Sequence, residues 1–161
     1  MKNVVLLENV RSAYNVWNII RTADSLGRDV WMSGYTPWPD EQPKVKKTSL
    51  GAEENVGLRR FDDALQAIDF ARENNFDVLA WEIMFDAIDL AKYEKTWKNI
   101  MLILWNEVDW VQKKTLETVD AVVYIPMQWI KESMNVVWCI LLAVAWFLVV
   151  WLIDYISKRK K

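Results

Sequence analysis

The 161-residue chain contains no histidine. That excludes Ser-His-Asp and Cys-His nucleophilic catalysis and removes the commonest transition-metal ligand, so no metal site is expected. Its one cysteine, Cys139, cannot close an internal disulfide and lies inside an apolar run. It reads as a core residue, and a cytoplasmic setting is the expectation. Charge of either sign is nearly balanced, with a net of −2. No global field would draw in nucleic acid, so any such contact must come from local basic clusters such as Lys44, Lys46 and Lys47. No secretory signal is expected, because the apolar run Asn3–Leu7 is short and Glu8 follows it. Glycine is scarce: four residues, where a chain with several turns ordinarily carries roughly 7%.

What the chain has instead is apolar bulk. Hydrophobic residues make up 53% of it, and eleven are tryptophan. The length fits a single domain, residues 1–161, with a sizeable core. Short valine- and isoleucine-rich runs read as buried strands over 3–7, 29–32, 77–83, 99–104 and 121–125. Helical spacing of apolar residues predicts helices over 15–26, 61–74, 87–93 and 108–119. In the first, Val16, Ile19, Ile20 and Ala23 share a face and Gly27 supplies a stop; in the second, Phe61, Ala64, Leu65, Ile68 and Ala71 do so. A loop follows Ser33, punctuated by Gly34, Pro37, Pro39 and Pro43. Its basic end, Lys44 to Gly51, can hold a phosphate or be a solvated charged loop. Strands alternating with helices imply an α/β fold, a parallel sheet with helices on both faces.

The longest uncharged stretch, Val136–Ile153, is eighteen residues, closed by Asp154 and the basic tail Lys158–Lys161. Eighteen is the usual threshold for a transmembrane helix. Against insertion, a tail anchor would carry the basic tail across the membrane, contrary to the positive-inside tendency. A helix apolar all round is equally suited to burial in a core and a subunit interface. The expectation is a buried C-terminal helix, with membrane association as the alternative.

Three segments fall where a parallel sheet binds ligands, beyond strand C-termini. They are Asn15–Arg21, Ile103–Val111 and Ile125–Asn135. Taken alone, Arg21 can clamp a phosphate, or Arg21 and Glu107 can be no more than exposed members of an ion pair. Together the segments resemble the SpoU branch of the SPOUT class of RNA methyltransferases. Asn15, Asn18, Arg21, Thr22 and Ala23 match its first motif, N-x-G-N-x-x-R-T-A. Leu104, Asn106 and Glu107 match its second, L-G-N-E-x-x-G, and Ile125, Pro126, Met127, Ser133, Asn135 and Val136 match its third. The loop Lys46–Glu53 is similar too, and the likeness spans about residues 3–155.

The resemblance implies a trefoil-knotted α/β domain that homodimerises through its last helix. It also implies binding of S-adenosylmethionine in the knot and methylation of a ribose 2′-hydroxyl of tRNA or rRNA. Arg21 would meet an RNA phosphate or activate the hydroxyl, and Asn15, Glu107, Ser133 and Asn135 would shape the catalytic site. Trp81, Leu104, Trp105, Ile125, Met127, Ser133 and Met134 would surround the cofactor, and Lys44, Lys46 and Lys47 would meet RNA. The sulfonium donor is already activated, so such a protein mainly positions and desolvates the acceptor.

The departures from the motifs are of one kind. Trp17, Trp105, Trp110 and Trp129 stand where the family carries glycine. Glycine permits φ > 0 or a close backbone approach; tryptophan offers neither and adds the largest side chain available. Trp105 and Trp129 are therefore expected to fill the cofactor pocket, as in a redesigned scaffold. Two function classes follow: an RNA ribose 2′-O-methyltransferase, or a catalytically silent knotted scaffold.

Overall fold

The computed structural model describes residues 3–39, 55–94, 96, 98–105 and 110–126. Seven strands form one sheet in the order β3-β2-β1-β6-β4-β7-β5, and every neighbouring pair is parallel. The strands are β1 (Asn3–Glu8), β2 (Asp29–Ser33), β3 (Leu58–Phe61), β4 (Phe76–Trp81), β5 (Ile88–Asp89), β6 (Asn99–Leu104) and β7 (Ala121–Tyr124). The helices are α1 (Ala13–Ser25), α2 (Ala64–Glu73) and α3 (Lys113–Leu116).

The centre of the sheet explains the unbroken apolar runs. In β4 all six residues are buried, and in β1 and β6 all but the first. Strands buried on both faces have no solvent side and so no alternation. The step from β1 to β2 runs toward one edge and the step from β3 to β4 toward the other. With right-handed crossovers, those opposite steps put α1 and α2 on opposite faces. The α1 face buries Val16, Trp17, Ile19, Ile20 and Ala23. The α2 face buries Ala64, Ala67, Ile68 and Ala71. Trp31 of β2 packs under α2 among Phe61, Phe70 and Phe76, ring centroids 5.3, 5.4 and 5.6 Å away.

Several sequence expectations shift. α1 begins two residues early, because the Ser12 hydroxyl caps it, accepting from the Asn15 N–H at 3.2 Å. The helix expected over 61–74 begins only at Ala64, after the Asp63 cap, and Phe61 belongs instead to β3. β3 itself, Leu-Arg-Arg-Phe, was hidden by its two arginines, which an edge strand tolerates in solvent. The helix expected over 87–93 is a two-residue strand, β5, followed by a 3-10 turn over Leu90–Lys92. Of the helix expected over 108–119, residues 108 and 109 lie outside the described residues, and among the described ones only the single turn of α3 is helical. The basic stretch Lys44–Gly51 that ends the loop after Ser33 and the run Val136–Ile153 lie outside the described residues.

Candidate active site at the strand ends

Parallel strands expose their last backbone groups at one end of the sheet, and ligands settle where the strand order reverses. Here that place is between β1, whose chain continues outward to β2, and β6 and β4 on the other side. Register aligns the ends: Leu7 with Leu104, Ala80 with Ile103, Trp81 with Val123. The residues just beyond these pairs are Glu8, Trp105, Glu82 and Tyr124.

Two carboxyl groups at these ends are buried. Glu8 closes β1 at 2% exposure and accepts a hydrogen bond of 2.7 Å from the Thr115 hydroxyl of α3. Its Oε2 is buried without a hydrogen-bond partner. Burial pushes its carboxyl above the usual carboxylate range, and Asp63 adds to the rise. The Thr115 hydroxyl, the Gln112 backbone N–H and Lys114 oppose it. Glu82 follows β4 at 6% exposure and accepts from its neighbour Ile83 N–H at 2.9 Å and from Val111 N–H at 3.3 Å. Burial raises this carboxyl too, against those two hydrogen bonds. Its own backbone N–H donates to the Val123 carbonyl, so Glu82 ties β4, β7 and the chain at Val111 together.

Trp105, 6% exposed, stacks on Trp110, with centroids 6.2 Å apart and planes 13° apart. Trp110 has φ +60°, in the left-handed region. A motif glycine is expected at that position for this conformation, and tryptophan adopts it here with its ring held by Trp105. Trp17, at the other glycine position described, is accommodated differently: it lies 2% exposed in the core under α1.

The β1 and β2 ends are tied by small polar groups. Thr36 Oγ1 donates within reach of the Leu7 and Ser33 carbonyls, at 3.0 and 2.9 Å, and accepts from Val10 N–H at 3.1 Å. Gly34 has φ +63°, and a Cβ there would meet Asn9 Oδ1 at 2.0 Å, so any other residue strains the backbone and displaces the Asn9 amide.

Of the site residues expected from sequence, Trp81, Leu104, Trp105 and Ile125 come together at the ends of β4, β6 and β7. Trp81 and Leu104 are buried, and Ile125 is half-buried against the core. Asn15 and Arg21 stand on α1, Asn15 half-buried in its first turn and Arg21 exposed. Glu107, Met127, Ser133, Met134, Asn135, Lys44, Lys46, Lys47 and Trp129 lie outside the described residues. Sequence reasoning missed Glu8, Glu82 and Thr115. The available signal was a carboxylate directly after an apolar run, Val4–Leu7 before Glu8 and Val78–Trp81 before Glu82.

The sequence model of the SpoU rRNA Methylase family matches residues 2–145. The chain belongs to that family. It is 32% identical over 133 residues to a tRNA (guanosine(18)-2′-O)-methyltransferase of Thermus thermophilus, covering 82% of this chain and 66% of the relative. To the enzyme of the same name from Aquifex aeolicus it is 24% identical, covering 83% of this chain and 62% of the relative. The chain thus spans less than two thirds of these curated relatives. Among solved structures, an AdoMet-bound rRNA methyltransferase from Sinorhizobium meliloti superposes with a TM-score of 0.81 at 23% identity, over 90% of this chain and 55% of that one. The TrmH/SpoU tRNA modifying enzyme of A. aeolicus gives 0.75 at 19% identity, over 90% and 73%. The seven-stranded parallel sheet is therefore the family's α/β fold.

Proposed function

We propose that this chain is an S-adenosylmethionine-dependent RNA ribose 2′-O-methyltransferase domain. The observation that carries the reading is the match of the family to residues 2–145, with Asn15, Arg21 and Glu107 retained in its motifs. The strand ends fit the cofactor in kind: Trp81, Leu104 and Ile125 offer apolar walls for an adenine ring. When bound, the cofactor supplies a methyl group already activated by its sulfonium. The chain's own task is then to hold the acceptor. Arg21 clamps an RNA phosphate; Asn15, Glu107, Ser133 and Asn135 orient the ribose hydroxyl and lead its proton away; Lys44, Lys46 and Lys47 contact the RNA backbone. The protein works as a cytoplasmic homodimer joined through 136–153. The place of β7 between β4 and β5 supports a threaded C-terminal segment.

A second reading is favoured by one observation, the stacked Trp105–Trp110 pair at the cofactor's end of the sheet. If the pair does not part, the pocket is filled and the chain is a catalytically silent scaffold. Isothermal titration with S-adenosylmethionine separates the two. Micromolar binding supports the enzyme, and Arg21→Ala should then slow methyl transfer to tRNA roughly ten- to hundredfold, the loss of one charge-assisted contact. A folded protein that takes up no heat supports the scaffold.

A further inference from the structure

The opposite end of the sheet carries a groove that the methyltransferase reading leaves unused. Its volume is about 340 Å³, and its lining includes Asp29, Trp31, Arg59, Phe70, Phe76 and Asn99. Asp29, Phe76 and Asn99 are the first residues of β2, β4 and β6. The groove therefore lies about 20 Å from Trp105, six residue steps from Asn99 along β6.

Its wall is aromatic. Trp31 and Phe70 meet edge to face at 5.4 Å, and Phe76 is 5.6 Å from Trp31. The Arg59 guanidinium lies over the Phe70 ring at 4.1 Å and 6.0 Å from the Trp31 ring. Arg59 is exposed on the edge strand β3. A guanidinium backed by a ring on one face offers the other as a flat, cationic platform. Its rim is polar, formed by the Asp29 carboxylate and the Asn74 and Asn99 amides. A Cβ at Gly57 would lie 2.6 Å from Asp29 Oδ1, so glycine there is what lets the carboxylate rest against the groove floor.

We infer that this groove receives an unstacked purine base, stacked on the outer face of Arg59 with its edge read by the rim. Stacking on an arginine plane with hydrogen bonds to base edges is how single-stranded RNA is held. A phosphate alone gains nothing from the aromatic wall, and Asp29 at the rim, with Asp69 and Glu73 in a second groove that shares Arg59 and Phe70, disfavours it. The RNA source rests on the proposed function; the base-binding chemistry does not.

The test uses guanosine and adenosine 5′-monophosphates, with ribose 5-phosphate as control, titrated into the ¹⁵N-labelled full chain. The Trp31 indole and Arg59 Nε resonances should move with either purine nucleotide and stay still with ribose 5-phosphate. Arg59→Lys keeps the charge but loses the plane, and Phe70→Leu keeps apolar bulk but loses the backing ring. Each should weaken binding about tenfold, with an unchanged far-UV spectrum marking an intact fold. A decameric single-stranded purine RNA binding more than tenfold tighter than the mononucleotides would identify RNA as the source; equal affinity would identify free nucleotides. Purine nucleotides that leave Trp31 and Arg59 unmoved would overturn the inference. So would wild-type affinity in Arg59→Lys. No cofactor or methyl transfer enters these readouts, so the inference and the methyltransferase reading can fail separately.

Discussion

At the scale of single residues, the strand ends hold groups that cost stability at neutral pH. Glu8 and Glu82 are buried, and both carboxyls are raised. Between the ordinary carboxylate range and their raised values, the folded protein holds protons that the unfolded chain releases. Stability from these groups is thus full in acid and lost as pH rises through the folded values. Glu8→Gln keeps an acceptor for Thr115 and removes the charge. We expect it to raise Tm by a few degrees at pH 7 and to converge on the parent as pH falls below the ordinary carboxyl value of 4.5, in calorimetric scans across that range. Trp110 gives a second residue-scale prediction. Its left-handed φ of +60° costs a non-glycine residue about 1 kcal/mol, while its stacking on Trp105 returns about 0.5–1.5 kcal/mol. Trp110→Ala loses the stack and keeps the strain; Trp110→Gly loses both. Urea denaturation should therefore find the glycine variant more stable than the alanine variant by about 0.5–1 kcal/mol, the reverse of their usual order.

At the scale of elements, caps decide the boundaries. Asp63 Oδ1 accepts from Gln66 N–H at 2.9 Å, and the Gln66 side chain accepts from Asp62 N–H at 2.9 Å. This reciprocal pair starts α2. Asp63→Ala should cost about 1 kcal/mol in denaturant unfolding, and Asp63→Asn much less. The same caps show what could be read in advance. β1, β4 and β6 were legible because their apolar runs sit at the buried centre, where burial alone dictates sequence, and β2 because Val30, Trp31 and Met32 are buried beside them. β3 was not, since an edge strand carrying Arg59 and Arg60 looks like a charged turn. α3 was overestimated because Val108, Val111, Thr115 and Val119 fall at helical spacing, yet Trp110 turns left-handed in their midst and interrupts any helix. At the site, the tryptophans at motif-glycine positions pointed to Trp105 and Trp129 as pocket fillers; Trp129 lies outside the described residues, and the partner that Trp105 stacks on is Trp110. Their stacking depends on a turn that spacing does not reveal. Glu8 and Glu82 passed unnoticed, because their role comes from partners more than twenty residues away, Thr115 and Val111.

At the scale of the whole molecule, most of the sheet is held by pairings distant in sequence. β1 pairs with β6, β4 with β7, and β7 with β5. Such contacts close long loops before they return any stability, so folding is slow. Val123, fully buried in β7, tests the order of events. Val123→Ala should lose about 1–3 kcal/mol, expressed almost wholly as faster unfolding with little change in folding rate, if β7 docks after the rest. Stopped-flow chevrons would decide it, and a slowed folding limb would place β7 in the nucleus instead.

The position of β7 also bears on how the chain is made. β4 and β5 precede it from the ribosome, yet it occupies the slot between them. Until residue 124 emerges, both inner edges present unpaired N–H and C=O groups, a template for any other strand. A nascent chain stalled or cleaved before Ala121 is therefore not a smaller version of this protein. It is a sheet with a missing rung, open to a strand from a neighbour, and the last described strand acts as the native chain's own seal against aggregation.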